Sequence, residues 1–341
     1  MRRNTWWSWV RPPLVPALIA IVLMIPHPAR AQQGAAATDS IQTQTQTPAT
    51  ESQPSSNTVT AQAAHATYVG EAKCVECHEE IMTTFEHNPH HGAQVDRNEA
   101  GTVVQCESCH GPGSLHSEAD GDESDPRFAT IRVFKRMSPD AQASVCRSCH
   151  TMGEQFHWDQ SSHARNDLSC QSCHSMHAAK SQGGKNLLSK ARPTELCLSC
   201  HEDKRAEIAR SAHMPLREGG MDCSSCHNPH GSAAPFMIRK ASNNELCTTC
   251  HMDKRGPFLW EHPPVREDCV TCHMPHGSNN DKVLASKKPF LCQRCHIATR
   301  HPSTLYDRPD LVSNRLFNRS CTNCHSQIHG SNHPSGKTFL R

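Results

Sequence analysis

Apolar residues gather in one long run, Leu14 to Ile25, and beyond it they are scattered among polar positions, with no later stretch able to span a bilayer. The run is about 12 residues long, short of the roughly 17 to 25 that a membrane-spanning helix needs. Arg2, Arg3 and Arg11 precede it and the small-x-small triplet Ala29-Arg30-Ala31 follows, the layout of an export signal cleaved after Ala31. A retained N-terminal anchor is the alternative. Residues 32–66, QQGAAATDSIQTQTQTPATESQPSSNTVTAQAAHA, hold too few large apolar groups to order themselves and read as a flexible tail. From Thr67 onward the texture changes again, to short polar segments punctuated by cysteine at intervals of 22 to 40 residues. The segments predict single helical turns rather than long amphipathic helices or alternating strands.

Composition makes the third region unusual. Only 35% of the 341 residues are hydrophobic and 5% aromatic, so an ordinary oily core cannot be assembled. Loss of residues 1–31 removes four arginines and no acid, leaving a mature net charge of −2, and nucleic acid is not an expected partner. All 20 cysteines fall in Cys-x-x-Cys-His motifs: Cys74/Cys77, Cys106/Cys109, Cys146/Cys149, Cys170/Cys173, Cys197/Cys200, Cys223/Cys226, Cys247/Cys250, Cys269/Cys272, Cys292/Cys295 and Cys321/Cys324. None is left for a disulfide.

On a helical turn, positions i, i+3 and i+4 share a face, so two thioethers and an imidazole can grip one porphyrin and its iron. Zinc would need a second ligand pair for each site, and a disulfide framework would not place a histidine after every second cysteine. The motifs therefore predict ten covalent haems c, with His78, His110, His150, His174, His201, His227, His251, His273, His296 and His325 as proximal iron ligands.

Sixteen histidines remain, and most recur at fixed places. The ten motifs pair into five units, each with one histidine between its motifs and one trailing the second. These are His90 and His116, His163 and His177, His213 and His230, His262 and His276, and His301 and His329. In four units the middle histidine lies 11 to 13 residues past the first proximal one, and in three the trailing histidine follows the second proximal one by three. The fifth unit fits least well. These ten predict distal iron ligands, although His87 and His91 compete with His90 for the first of them. His65, His157 and His333 fall outside the pattern, and Met176 and Met274 are assigned to packing. Two imidazoles per iron leave no open coordination position, which points to electron transfer rather than catalysis.

In CVTCHMPHG, Cys269 to Gly277, His276 sits three residues beyond His273 and cannot reach the opposite face of the same porphyrin. It should serve a neighbouring haem.

The runs KRGPFLWEHPPVREDCVTCHMPHGS, PFLCQRCHIATRHPSTLYD and SCTNCHSQIHGSNHPSG resemble the decahaem periplasmic cytochromes of the MtrA/DmsE/PioA type, over about residues 68–341. The resemblance implies a multihaem cytochrome c fold, an elongated chain of short α-helices and irregular loops wrapped around ten haems, with little or no β-sheet, over residues 67–341. It also implies insertion into an outer-membrane porin-like β-barrel. There the chain would pass electrons between periplasmic carriers or other multihaem cytochromes and extracellular partners. A bare polar backbone could not cross lipid, so such a chain needs the barrel around it. Two other functions remain open: a soluble periplasmic carrier feeding a reductase, and a multihaem nitrite- or hydroxylamine-converting enzyme. The enzyme would need an iron without a sixth ligand, and only Tyr68 and Tyr306 are available for a tyrosine-based site.

Overall fold

The structure is a computed structural model that describes residues 65–95, 102–181, 186–296, 320–334 and 336–340, all within the unit Pro54–Arg341. The export signal, nearly all of the tail, His301 and Tyr306 lie outside the described residues.

Helices are short and end within a few turns, and only some begin at a side-chain cap. The longest, α1 (Glu71–Phe85), carries the first motif and leaves helical geometry at His78. α2 (Pro139–Arg147) starts where the Ser138 hydroxyl accepts from the Ala141 N–H and Pro139 supplies a helical φ. α3 (Glu202–Ile208) has Glu202 and Asp203 in its first turn, where the helix dipole favours acids. The described sheet is one antiparallel pair, β1 (Gln94–Val95) with β2 (Thr102–Val103). This is the multihaem cytochrome c fold, built of short helices and 3₁₀ turns. Among the described residues no helix is long and apolar enough to cross a membrane. Buried apolar side chains are thinly spread, from Phe85 and Val104 through Trp158 and Leu188 to Ile208 and Ile238.

The motifs occupy two alternating settings. From the second unit on, the first motif begins at the end of an α-helix, as in α2, Pro193–Cys197, Asn243–Thr248 and Phe290–Gln293. The second motif is a 3₁₀ turn, at Cys170–Ser172, Cys223–Ser225, Cys269–Thr271 and Cys321–Asn323. In both settings the histidine N–H donates to the carbonyl of the first cysteine, at 2.9–3.1 Å from His150 through His325. That bond closes a single α-turn and brings the i, i+3 and i+4 side chains to one side, whichever helix type surrounds it.

Described contacts between units join neighbours in sequence. Asn88 of the first unit donates to the Met176 carbonyl of the second, and Asn228 of the third to the Glu154 carbonyl of the second. The third and fourth units meet at the bridge Ala212 with Ser278, and the fourth and fifth at Trp260 with Ser331. At these joints the chain passes very close to its neighbour. A Cβ on Gly231 would lie 2.6 Å from the His157 carbonyl oxygen, and one on Gly277 would overlap that of Glu207 outright. Gly330 is held as tightly against the Phe258 ring. The glycine after each trailing histidine in "PHG" and "IHG" is therefore a docking requirement between units.

The N-terminal end is tied down by one carboxylate. Glu107, buried inside the second motif, accepts from the N–H groups of Val69 (3.0 Å), Gly70 (2.9 Å) and Gly113 (2.8 Å). Glu107→Ala would leave these donors without their acceptor and should cost about 3 kcal/mol or more, read as an early loss of structure in thermal unfolding of the haem-loaded protein. Gly277→Ala, which drives a methyl into the Glu207 carbonyl, should destabilise by about 1–3 kcal/mol in the same measurement.

Candidate haem sites

The histidines face one another in pairs. Ring centroids lie 6.4 Å apart for His78 and His116, 5.9 Å for His110 and His177, and 5.8 Å for His90 and His150. Further along they are 6.2 Å apart for His163 and His201, 6.1 Å for His174 and His230, and 6.0 Å for His227 and His276. The series continues with His262 and His296 at 6.1 Å and His273 and His329 at 6.3 Å. Each pair joins one motif histidine to one histidine from the middle or trailing set. The Nε2 atoms of His90 and His150 lie 3.5 Å apart, slightly less than the roughly 4 Å spanned by two metal–imidazole bonds of about 2 Å. A small ring movement would admit an iron.

The pairs follow a rule. A motif histidine that opens a unit faces the middle histidine of the preceding unit, as His150 with His90, His201 with His163 and His296 with His262. A motif histidine that closes a unit faces the trailing histidine of the following unit, as His110 with His177, His174 with His230, His227 with His276 and His273 with His329. His78 departs from the rule and faces the trailing histidine of its own unit, His116. By the rule His251 would take His213, and His301, outside the described residues, is what is left for His325. The structure does not bring His251 and His213 together among the described residues. His213 lies instead with Nε2 3.0 Å from Glu218 Oε1, and Glu218 pulls its pKa upward.

The Nδ1 atoms show how the rings are aimed. Nδ1–H donates to a backbone carbonyl from His110 (Arg132, 2.8 Å), His116 (Phe128, 2.8 Å) and His163 (Pro229, 2.8 Å). In three consecutive units the acceptor is the same kind of residue: His174 bonds Asn186 (2.6 Å), His227 bonds Phe236 (2.9 Å) and His273 bonds Lys282 (2.9 Å). Each of these acceptors, and the residue after it, has a positive φ near 50–60°: Asn186 and Leu187, Phe236 and Met237, Lys282 and Val283. For residues with a Cβ that conformation costs about 1–2 kcal/mol each. It turns the carbonyl onto the ring, which fixes the tautomer and leaves Nε2 as a lone pair for metal.

Burial supports the same protonation state. It pushes the pKa of His90, His177, His262, His276 and His329 below the usual histidine value, and that of His230 down to about 4. A neutral imidazole is the form that ligates iron.

Of the competitors for the first middle position, His90 faces a motif histidine, with its Nδ1 on Asn88 Oδ1 at 3.0 Å. His91 is turned away, its Nε2 3.0 Å from Glu71 and its ring against Phe85, and His87 is 79% exposed. His91 braces α1 instead, between Glu71 and Phe85. The carbonyls of Asn186, Phe236 and Lys282 are site groups that reading by side-chain type could not reveal. Their trace in the sequence is a recurring triplet before the next motif whose last two residues are apolar, NLL, FMI and KVL.

Thiols of successive motifs also meet in a pattern. Within a unit the first cysteines of the two motifs hydrogen-bond: Cys74 with Cys106, Cys146 with Cys170, Cys197 with Cys223, Cys247 with Cys269 and Cys292 with Cys321. The bond pulls Cys170 and Cys223 down to about 7 and pushes Cys146 and Cys197 up. Between units the second cysteine of each closing motif lies close enough to feel the charge of both cysteines of the next opening motif, Cys109 with Cys146 and Cys149, Cys173 with Cys197 and Cys200, Cys226 with Cys247 and Cys250, and Cys272 with Cys292 and Cys295. The motifs are therefore neighbours in the order in which they are translated.

Cys77 and Cys324 depart from this scheme. The sequence presents them as attachment points like all the others, but among the described residues no further motif stands beside either of them in the way the contacts between units would require. The second cysteine of every opening motif is exposed, at Cys77, Cys149, Cys200, Cys250 and Cys295, whereas in the closing motifs Cys109, Cys173, Cys226 and Cys272 are half-buried. Cys324 closes a unit and is exposed all the same. The ten attachment sites, alike in sequence, are thus unequal in structure: the two end motifs meet a neighbour through their first cysteines, Cys74 and Cys321, and leave the second facing outward.

Paired thiols, an adjoining imidazole and a second imidazole facing it define a multihaem c-type cytochrome, an electron-transfer protein that carries covalent haem through its Cys-x-x-Cys-His motifs. The doubled CXXCH motif family matches at residues 163–206, 213–256 and 262–301, each match beginning at a middle histidine. The chain is 39% identical over 281 residues to the multiheme cytochrome MtrA of Shewanella baltica (strain OS185), covering 80% of this chain and 81% of that protein. It belongs to the MtrA family of multihaem cytochromes.

His276→Ala tests the pairing directly. One haem should become high-spin in the electronic spectrum, and peptide mapping should assign it to Cys223 and Cys226. Assignment to Cys269 and Cys272 would contradict the facing of His276 and His227.

Proposed function

We propose that the chain carries ten haems, one on each motif, with His78, His110, His150, His174, His201, His227, His251, His273, His296 and His325 as proximal ligands. The distal ligands are His116, His177, His90, His230, His163, His276, His213, His329, His262 and His301 in the same order. Each haem supplies a reversible one-electron iron couple. The chain's residues do the rest: thiols fix the porphyrin edge, carbonyls aim the imidazoles, and both axial positions are filled so that no substrate binds iron.

The observation that carries the reading is the succession of cysteine contacts, first cysteine with first within a unit and the closing second cysteine with the next unit's opening motif. It favours consecutive haems set edge by edge in sequence order, as conduction in single file requires. With neighbouring irons on the order of 10 Å apart, ten would outrun the roughly 40–45 Å of a membrane with its headgroups. In the mature exported protein we place this file inside a porin-like barrel of the outer membrane, between periplasmic carriers and extracellular redox partners. The relative carries the name of a multihaem cytochrome, and the sparse apolar core suits a chain whose outside meets a polar wall.

Two measurements test this. The mature protein should gain the mass of ten haems. Native protein extracted gently from outer membranes should co-purify with a large β-barrel in fixed stoichiometry. Recovery only as a free periplasmic protein would leave electron transfer standing and overturn the barrel conduit in favour of a soluble carrier.

A further inference from the structure

Not all axial imidazoles are backed alike. At the site of Cys223, Cys226 and His227, one ring has a carbonyl acceptor behind it and the other has a carboxylate beside it at ion-pair distance, with the Lys204 charge also within reach of that ring. His227 Nδ1 donates to the Phe236 carbonyl at 2.9 Å, and His276 Nδ1 lies 3.4 Å from the carboxylate Oε2 of Glu207 on α3. Glu207 is only 23% exposed and is held from its other side by Lys204 Nζ at 3.0 Å. The Gly277 approach to the Glu207 carbonyl, described above, locks this residue to the segment carrying His276. At the site of Cys170, Cys173 and His174 the arrangement is lopsided. His174 donates to Asn186 at 2.6 Å, while the buried Nδ1 of its counterpart His230 has no hydrogen-bond partner. His262 Nδ1 is likewise unpartnered, with the Ile328 carbonyl near the ring but outside bonding geometry.

An acceptor on Nδ1 raises the electron-donating power of the imidazole toward its metal, and a carboxylate does so more than a carbonyl. A stronger donor stabilises ferric over ferrous iron and lowers the reduction potential. An unpartnered N–H has no such effect.

We propose that Glu207 is a positioning and tuning residue. Acting through His276, its carboxylate makes the haem of Cys223 and Cys226 a low-potential point of the file, below the haem of Cys170 and Cys173, whose His230 lacks an acceptor. The proposal rests on the reading of His276 and His230 as axial ligands. It means that the file is stepped near its middle: an electron leaving the fourth site toward the seventh meets a rise at the sixth, set by a side chain that touches no porphyrin.

The test is Glu207→Gln in the full haem-loaded protein, followed by spectroelectrochemical titration with each haem assigned by its low-temperature magnetic resonance. All haems should remain low-spin, and the sixth should move to higher potential while the fourth stays in place. Because Lys204 loses its counter-charge in this variant, the double variant Lys204→Gln with Glu207→Gln, which removes the whole pair, should keep most of the shift. An unmoved sixth haem, a uniform shift of all waves, or a double variant restored to the parental potential would each overturn the proposal. Failure of the underlying ligation reads differently: His276→Ala would then leave every haem low-spin.

Discussion

Everything in this chain hangs on two imidazoles from different units facing one another across the space of one iron. A proximal histidine is fixed by its own motif, but its counterpart arrives from the unit before or after, at about 6 Å between ring centroids. Each metal site is thereby also a joint between units. Side-chain packing contributes little by comparison, since buried apolar residues are few. Folding and cofactor attachment are coupled when the groups that fill the interior are the cofactors.

The backbone is organised around the same demand. Left-handed residues such as Asn186, Phe236 and Lys282 would be liabilities in an ordinary turn, where glycine normally takes that conformation. Here they recur at equivalent places and turn a carbonyl onto a motif histidine. Glycines, for their part, stand where two units touch, at Gly231, Gly277 and Gly330. Both features reflect close approach between backbone and site rather than flexibility.

How much of this could be read from residues alone depends on what each feature is made of. The motifs, and eight histidines that the structure sets against motif histidines, could be picked out because cysteine and histidine are rare and their offsets repeat. That His276 serves another site followed from helix geometry, and the structure sets it against His227. Which of His87, His90 and His91 enters a pair was not legible, since the choice is made by Asn88, which holds both the N–H and the ring of His90. Nor was the difference between Cys324 and the other closing cysteines, because exposure depends on what packs alongside and not on the motif itself. The carbonyl acceptors escaped notice because every residue has one, and only the fold says which are aimed. The Glu207 contact escaped for a related reason: in sequence it looks like one more solvated charge on a short helix, and its partner lies 69 positions away.

The rule that each site borrows from its neighbour has an evolutionary corollary. A block of about 50 residues, the spacing between successive matches of the doubled motif, takes one ligand from each side and lends one to each side. Such a block can be duplicated or deleted without orphaning any metal, provided the terminal repeats keep their self-sufficient arrangement, as His78 and His116 do. The number of sites is then set in whole blocks, and recombination can lengthen or shorten the series without rebuilding any one of them.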